Sequence, residues 1–285
     1  MEKILINAFA DEASSIIDNQ IVAMKRNNLN GLEIRNADGI SCVSLNAAQA
    51  REIRRKLDDA GLQVWSMGSP IGKITLEDDF NQHLDLLRNG LEIANVLGAK
   101  NLRMFSFFMP QGEDPAAHRN EVIDKVGRML EVAQGSGVLM CHENEKGIYG
   151  DMADRCLELL TTFPQMGGIF DPANFVQCGQ DTWEAWQMLK PFIKYMHVKD
   201  ALADGKVVPA GRGIGNLARI VPEYLAMGGH AFTIEPHLSV FDGLSGLERE
   251  GQTSDVGTQY TYPTTDAAFD AACQAFQQLL GEAQA

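Results

Sequence analysis

The chain has 285 residues, of which 45% are hydrophobic, and it carries a formal net charge of -14. This size allows one large domain or two small ones, and the acidic balance argues against a surface built to bind nucleic-acid phosphates or anionic lipid. No apolar run approaches the roughly 18 residues of a membrane span, and the first residues do not resemble a secretion signal. We therefore expect a cytoplasmic protein with a small, soluble partner, and a homo-oligomer is left open.

Short apolar segments rich in strand-forming residues alternate with segments of helical periodicity. The predicted strands cover residues 4–9, 31–35, 63–67, 101–108, 137–143, 167–171, 194–199 and 231–235. Helical periodicity is clearest at 46–61, 81–99 and 118–137, each with a glycine near its end. Such a series predicts a parallel sheet with right-handed crossovers, and eight units favour a closed (β/α)8 TIM barrel over an open doubly wound sheet.

The barrel is expected to form a single domain over residues 1–285, because no linker rich in Pro or Ser divides the chain. One segment, at about 237–266, has little periodicity and is followed by a predicted helix at about 267–283. In a barrel, this long connection would lie at the C-terminal face, where long loops often cover a site. An oligomer contact and a tolerated insertion remain alternatives.

Polar side chains stand at the ends of the last four predicted strands. Strand five ends in Glu143, strand six in Asp171 and strand eight in Glu235, while strand seven carries His197. They are 28, 26 and 38 residues apart, about one barrel unit each, so the side chains can converge at the barrel mouth. Any one of these carboxylates is more often a helix cap or a surface residue, and the histidine alone is more often a core residue. Their common position favours a site.

Two glutamates, an aspartate and a histidine make a hard donor set that consists mostly of oxygen. Such a set suits Mn²⁺, Mg²⁺ or Co²⁺, with Zn²⁺ also compatible, and the ligand types alone do not identify the metal.

The motifs at the strand ends also carry a resemblance. The sequence is similar to the xylose-isomerase-like TIM-barrel superfamily of sugar and sugar-phosphate isomerases and epimerases, through "INAFADE", "GLEIR", "HENEKGIYGD", "FDPANF", "HVKD", "VPAGRGIG" and "IEPH". The resemblance implies that Glu143, Asp171, His197 and Glu235 bind one divalent metal ion, with Mn²⁺ as the first choice. It also implies that Glu143 and Glu235 act as an acid/base pair.

These residues suit proton transfer next to a carbonyl group through an enediolate intermediate, which predicts an isomerase or epimerase on a sugar or sugar phosphate. A carbon–oxygen lyase, similar to an inosose dehydratase or a 3-keto-glycoside eliminating enzyme, is the alternative. A non-catalytic sugar-binding subunit is a further one. A DNA-repair phosphodiesterase of the endonuclease IV type is disfavoured, because its zinc cluster needs more histidines than a chain with six His in total supplies.

Five neighbouring residues are predicted to contact the substrate. Asn174 stands where the family often has a histidine, and this departure weakens the match to ketose 3-epimerases. Lys199 follows His197, and its alternative role is an ion pair with a carboxylate. Arg212 lies in the glycine-rich segment 209–216, which is either an anion-binding loop or a simple turn. His237 and Glu33 complete the set, and an ion pair with Arg35 is the alternative for Glu33. The exact substrate, its phosphorylation and the metal are left open by the sequence.

Overall fold

The computed structural model describes residues 3–242, 244, 256 and 259–284. Eight parallel strands close into a barrel, which confirms the predicted fold. Each strand pairs with the next in the chain, and β8 pairs with β1 in the register Leu5↔Ala231 to Ala8↔Ile234. The strands are β1 (Leu5–Ala8), β2 (Gly31–Ile34), β3 (Gln63–Ile71), β4 (Asn101–Met104), β5 (Leu139–Glu143), β6 (Gly167–Phe170), β7 (Ile193–Val198) and β8 (Ala231–Ile234).

Helices surround the barrel and bury its outer surface. They are α1 (Ile17–Arg26), α2 (Ala47–Ala60), α3 (Phe80–Leu97), α4 (Arg119–Ala133), α5 (Ala153–Thr162), α6 (Pro172–Gln177), α7 (Thr182–Leu189), α8 (Leu217–Ala226) and α9 (Thr265–Gln284). No helix in the described part of the chain is long and apolar enough to cross a membrane.

Local sequence signals account for the helix boundaries. At the start of α2, Asn46 accepts hydrogen bonds from the Ala48 and Gln49 amides, and the Gln49 side chain accepts one from the Asn46 amide. This reciprocal capping box satisfies amides that have no partner inside the helix. The helix ends at Gly61, whose φ of 72° is left-handed and therefore suits glycine.

The barrel interior is apolar at its base and charged at its mouth. Near the base, Trp65 and Tyr195 pack edge to face with ring centroids 5.9 Å apart, beside buried Cys141, Ile169 and Ala231. The Tyr195 hydroxyl marks the boundary between the apolar base and the charged mouth, because it donates a hydrogen bond to Glu33 on the side of the mouth. The charged residues at the mouth therefore lie against a closely packed apolar layer.

The connections at the barrel mouth are longer than those at its base. After β7, a small antiparallel hairpin pairs Asp200–Ala201 with Val207–Val208. Residues 243, 245–255, 257 and 258 of the connection that the sequence placed at 237–266 lie outside the described residues, so its role as a cover for the site stays a prediction. The final helix, α9, covers Thr265–Gln284, where the sequence indicated about 267–283.

Candidate metal and acid/base site

The four side chains at the predicted strand ends lie together at the barrel mouth. Glu143 ends β5, Asp171 follows β6, His197 lies in β7 and Glu235 follows β8. Each contributes one potential ligand atom, and all four atoms lie within 4.8 Å of one another. All four residues are buried. The (β/α)8 topology therefore joins groups that are distant in sequence, as the strand spacing predicted.

His197 stands at the centre of this cluster. Its Nδ1 atom lies 2.8 Å from Glu143 Oε1, 3.4 Å from Glu235 Oε2 and 4.0 Å from Asp171 Oδ2. Its Nε2 atom lies 3.0 Å from Glu33 Oε2 on the other side. Burial lowers the pKa of His197, but Glu143 and Glu33 outweigh burial and raise it well above its usual value.

Glu33 lies behind His197 rather than at the surface of the site. It is fully buried, and the Tyr195 hydroxyl donates a hydrogen bond of 2.8 Å to its Oε1 atom. The Glu33 carboxylate thus has a partner at each oxygen and fixes the orientation of the imidazole ring. The substrate contact predicted for Glu33 does not agree with this position, and its carboxylate does not pair with Arg35.

Arg103 is a charged residue inside β4 that the sequence reading did not identify. Its Nη1 atom donates a 3.0 Å hydrogen bond to Glu143 Oε2, while Nε and Nη2 donate to the carbonyl groups of Ser69 and Gly68. Burial raises the pKa of Glu143, but His197 and Arg103 outweigh burial and lower it to about 2. The Glu143 carboxylate is therefore ionised at neutral pH.

Two asparagines join the ends of β5 and β6. The Asn144 side chain donates to the Asp171 carbonyl oxygen and accepts from the Asp171 amide, both at 2.9 Å. The Asn174 side chain donates to the Asn144 carbonyl oxygen, and the Asn174 amide donates to Asp171 Oδ1, again at 2.9 Å. Asn144 thus takes the place of a backbone group between the strands. The side-chain amide of Asn174, predicted to contact substrate, is engaged in this network.

A second cluster lies beside Glu235. Arg35 forms ion pairs with Asp11 at 2.8 Å and with Glu12 at 3.2 Å, and its Nη1 atom lies 3.8 Å from Glu235 Oε1. His237 Nδ1 lies 3.0 Å from Glu12 Oε1 and 3.5 Å from Glu235 Oε1, so the imidazole contacts two carboxylates. His237 also adopts a φ of 44°, a left-handed conformation that costs energy in a residue with a side chain.

These groups surround a small cavity of about 20 Å³. Glu235, His237 and Asn174 line it together with Glu145 and a set of basic side chains: Arg35, Lys73, Arg103, Lys146 and Lys199. Lys73 pairs with Glu145 at 2.8 Å. Three of the residues predicted to contact substrate, namely Asn174, Lys199 and His237, therefore line the cavity.

The glycine-rich segment 209–216 forms a turn around a protein carboxylate. Asp200 Oδ2 accepts from the amides of Gly211 and Gly213 at 3.0 Å, and Oδ1 accepts from Gly215 at 2.9 Å. These amides are consequently not available to a substrate phosphate. Arg212 is exposed and does not line the cavity, so its predicted substrate contact is not supported by the geometry.

The cluster of Glu143, Asp171, His197 and Glu235 could hold a divalent cation. Its three carboxylates and one imidazole nitrogen are ligands suited to Mn²⁺, Mg²⁺, Co²⁺ or Zn²⁺. Asp171 Oδ2 is buried and accepts no hydrogen bond from the described residues, although Lys199 Nζ lies 2.9 Å away. Glu33, which contacts His197 Nε2, is the kind of carboxylate partner that metal-binding histidines usually have on the nitrogen that does not bind the metal.

Solved structures of other proteins share the fold of this chain. A search of curated proteins finds no match. Among solved structures, L-ribulose 3-epimerase superposes with a TM-score of 0.74 at 16% identity, covering 100% of this chain and 96% of that one. The probable 3-DHS dehydratase of Bacillus anthracis gives 0.73 at 17% identity, covering 97% and 99%. The IOLI protein with a bound zinc atom gives 0.74 at 12% identity, covering 98% of both chains.

At these identities, the structural similarity shows a shared fold and does not identify a substrate. The family model described as xylose isomerase-like TIM barrel matches residues 22–250. This range includes seven of the eight strands, β2 to β8, and all four residues of the cluster. The chain therefore belongs to the xylose isomerase-like TIM-barrel family.

Proposed function

We propose that this protein is a divalent-metal-dependent isomerase or epimerase that transfers a proton next to the carbonyl group of a sugar or keto-sugar. The observation that carries the proposal is the position of Glu143 and Glu235. Their carboxylates approach His197 Nδ1 at 2.8 and 3.4 Å, and Glu235 also lines the cavity. Two carboxylates at one buried site can remove a proton and return one, which isomerisation and epimerisation both require.

Both carboxylates are in the form that accepts a proton. His197 and Arg103 hold the pKa of Glu143 low despite burial, and Lys199 and His237 hold the pKa of Glu235 well below its usual value against the same effect. One carboxylate withdraws the proton next to the carbonyl group, giving an enediolate. In isomerisation this carboxyl group, now protonated, returns its proton to the neighbouring carbon. In epimerisation the other carboxylate takes up a proton from water and delivers it to the opposite face of the same carbon, while the first releases its proton to water.

Glu143, Asp171, His197 and Glu235 would hold the metal ion. When bound, a divalent cation supplies Lewis-acid stabilisation of negative charge on the substrate's oxygen atoms. We choose Mn²⁺ first for this oxygen-rich set, with Mg²⁺, Co²⁺ and Zn²⁺ as alternatives. Glu33, through its 3.0 Å contact with Nε2, keeps the Nδ1 atom of His197 directed at the three carboxylates.

A carbon–oxygen lyase is the second candidate, and His237 is the observation that favours it. Elimination needs a group that protonates the departing oxygen, in addition to the base that removes the proton. His237 lines the cavity, and its Nδ1 atom lies 3.0 Å from Glu12 Oε1 and 3.5 Å from Glu235 Oε1. It can therefore supply a third proton-carrying group beside the two carboxylates.

Proton NMR in D2O of the metal-loaded protein tests both candidates. The panel contains ketoses, ketose phosphates, inososes and 3-keto-glycosides, and the signal followed is that of the proton next to the carbonyl group. Exchange with formation of a stereoisomer or positional isomer supports the isomerase or epimerase. Exchange with loss of water or an aglycone supports the lyase. No exchange with any compound, while metal is bound, contradicts both and favours a sugar-binding subunit.

A further inference from the structure

Lys199 lies against the carboxylates of the candidate metal cluster. It follows the end of β7, two residues after His197, so the alternation of the strand directs both side chains to the barrel mouth. Its Nζ atom lies 2.9 Å from Asp171 Oδ2 and 3.2 Å from Glu235 Oε2. The side chain is only 6% exposed, so water screens these contacts weakly.

The oxygen atoms that contact Lys199 belong to the same cluster that could hold a metal. Asp171 and Glu235 both supply potential ligand atoms, and the four such atoms lie within 4.8 Å of one another. A divalent cation on these carboxylates would come close to the ammonium group. Because two positive charges in a buried site repel each other strongly, the metal and Lys199 compete for the same oxygens.

Lys73 offers an informative contrast within the same cavity. Its Nζ atom pairs with Glu145 at 2.8 Å, and Glu145 is not part of the metal cluster. Both lysines line the cavity and both are paired with carboxylates. They differ in whether their partner is a potential metal ligand, which makes Lys73 a matched control for Lys199.

We propose that Lys199 is an internal competitor of the divalent cation for Asp171 and Glu235, and that it keeps the metal affinity of the site low. This inference rests on the proposed function, since it assumes the metal site on which that function depends. Its consequence is that the protein is a metal-activated enzyme whose cation exchanges with the medium. A neutral residue at position 199 would convert the site into one that retains its metal.

The experiment measures Mn²⁺ binding to the full chain by isothermal titration calorimetry, after metal is removed with a chelator and the chelator is dialysed away. Lys199→Met keeps the length of the side chain and removes its charge, so we expect the Kd for Mn²⁺ to fall by about tenfold or more. Lys199→Arg keeps the charge and should stay close to the wild type. Lys73→Met should change the Kd by less than about threefold.

Thermal unfolding provides a second measurement. In chelator, Lys199→Met should unfold at a lower temperature than the wild type, because Asp171 and Glu235 lose their compensating charge. Saturating Mn²⁺ should then raise its Tm by more than it raises that of the wild type. If the variant folds only with metal, it is purified in Mn²⁺, and we expect it to retain the ion longer than the wild type in a chelator-competition assay.

The outcomes separate this inference from the proposed function. An unchanged or weaker Mn²⁺ affinity in Lys199→Met would overturn the role of Lys199 while leaving the metal site in place. The same holds if Lys73→Met has an equal effect. If neither the wild type nor Lys199→Met binds Mn²⁺, Mg²⁺ or Zn²⁺, the metal site and the competitor are both rejected. Failure of the proton-exchange assay with metal bound rejects only the proposed reaction, because turnover is not used here.

Discussion

Asp171 and Asp200 are two buried aspartates that follow neighbouring strands at the barrel mouth, and their surroundings differ. Both oxygens of Asp200 accept backbone hydrogen bonds, from Ala201, Gly211, Gly213 and Gly215. Asp171 accepts one such bond at Oδ1, and its Oδ2 atom accepts none from the described residues.

The difference separates a carboxylate that backbone amides satisfy from one whose second oxygen meets only the Lys199 ammonium group among the described residues. Burial raises the pKa of both aspartates, and at Asp200 the backbone amides offset part of this effect. At Asp171 the carboxylates of Glu235 and Glu143 add to burial while Lys199 opposes it, and the pKa reaches about 7. A carboxylate that the fold satisfies completely organises a loop. One whose second oxygen is held only by an ion pair can exchange that contact for a metal ion or a ligand.

The largest expected effect concerns the two glutamates of the cluster that contains Asp171, namely Glu143 and Glu235. Glu143→Gln and Glu235→Gln should each lower kcat by about 10²- to 10⁴-fold, because an amide cannot transfer the proton that a carboxylate does. The measurement is the exchange rate in D2O with a substrate from the panel. Glu145→Gln, which changes a carboxylate at the same mouth outside the metal cluster, is the control. Normal activity in either glutamine variant at 143 or 235 would contradict the acid/base pair.

A reciprocal pair of variants tests the comparison directly. Asp200→Asn should lower the free energy of unfolding by about 2–4 kcal/mol, because its new amide group points donors at backbone amides that also donate. Its metal affinity should not change. Asp171→Asn should weaken metal binding by more than about 100-fold, while stability changes by less than about 1 kcal/mol.

Chemical denaturation and calorimetric metal titration on both aspartate variants provide the measurements. Equal losses of stability in the two variants, with metal affinity intact in both, would show that the two carboxylates do not differ in role.

A smaller effect is expected for a residue that supports the cluster from behind. Glu33→Gln should weaken metal binding by about 10- to 100-fold, because the remaining amide orients His197 less firmly than the carboxylate does. Tyr195→Phe removes the other contact of Glu33 and serves as the control, with a smaller loss expected. Equal metal affinity in Glu33→Gln and the wild type would leave Glu33 as a packing residue only.

The smallest effect concerns His142, a buried group outside the metal cluster. It faces Ser106 at 3.0 Å, and burial lowers its pKa from 6.5 to about 4. Below pH 6.5, His142 is therefore protonated in the unfolded chain but remains neutral in the folded protein until the pH approaches 4. The free energy of unfolding consequently falls as the pH drops from 6.5 toward 4. Between pH 7 and pH 5 this costs about 2 kcal/mol. Between pH 7 and pH 5, the free energy of unfolding of His142→Gln, measured from denaturation curves, should fall by about 2 kcal/mol less than that of the wild type.

The sequence predicted the fold and the members of the cluster because both depend on regular spacing. Eight apolar segments at barrel intervals place Glu143, Asp171, His197 and Glu235 at one end of a sheet, whatever the details of packing. The convergence of these side chains needs only the topology.

The supporting contacts could not be predicted in the same way, because they depend on side-chain directions across the barrel. Arg103 lies in the apolar run "NLRMF", and a buried charge inside a strand is the signal that could have identified it. The position of Glu33 under His197 spans 164 residues of sequence. For the glycine-rich segment, the sequence leaves an anion-binding loop and a simple turn as alternatives, and the segment forms a turn around the carboxylate of Asp200.

The Asn144 side chain has a consequence for motion. It occupies the place of a peptide group between β5 and β6, so the Asp171 backbone is held to the chain that carries Glu143 as firmly as two neighbouring strands are held together. We therefore expect a displacement at the end of β5 to carry both carboxylates in the same direction, so that the distance between them varies less than the position of either one.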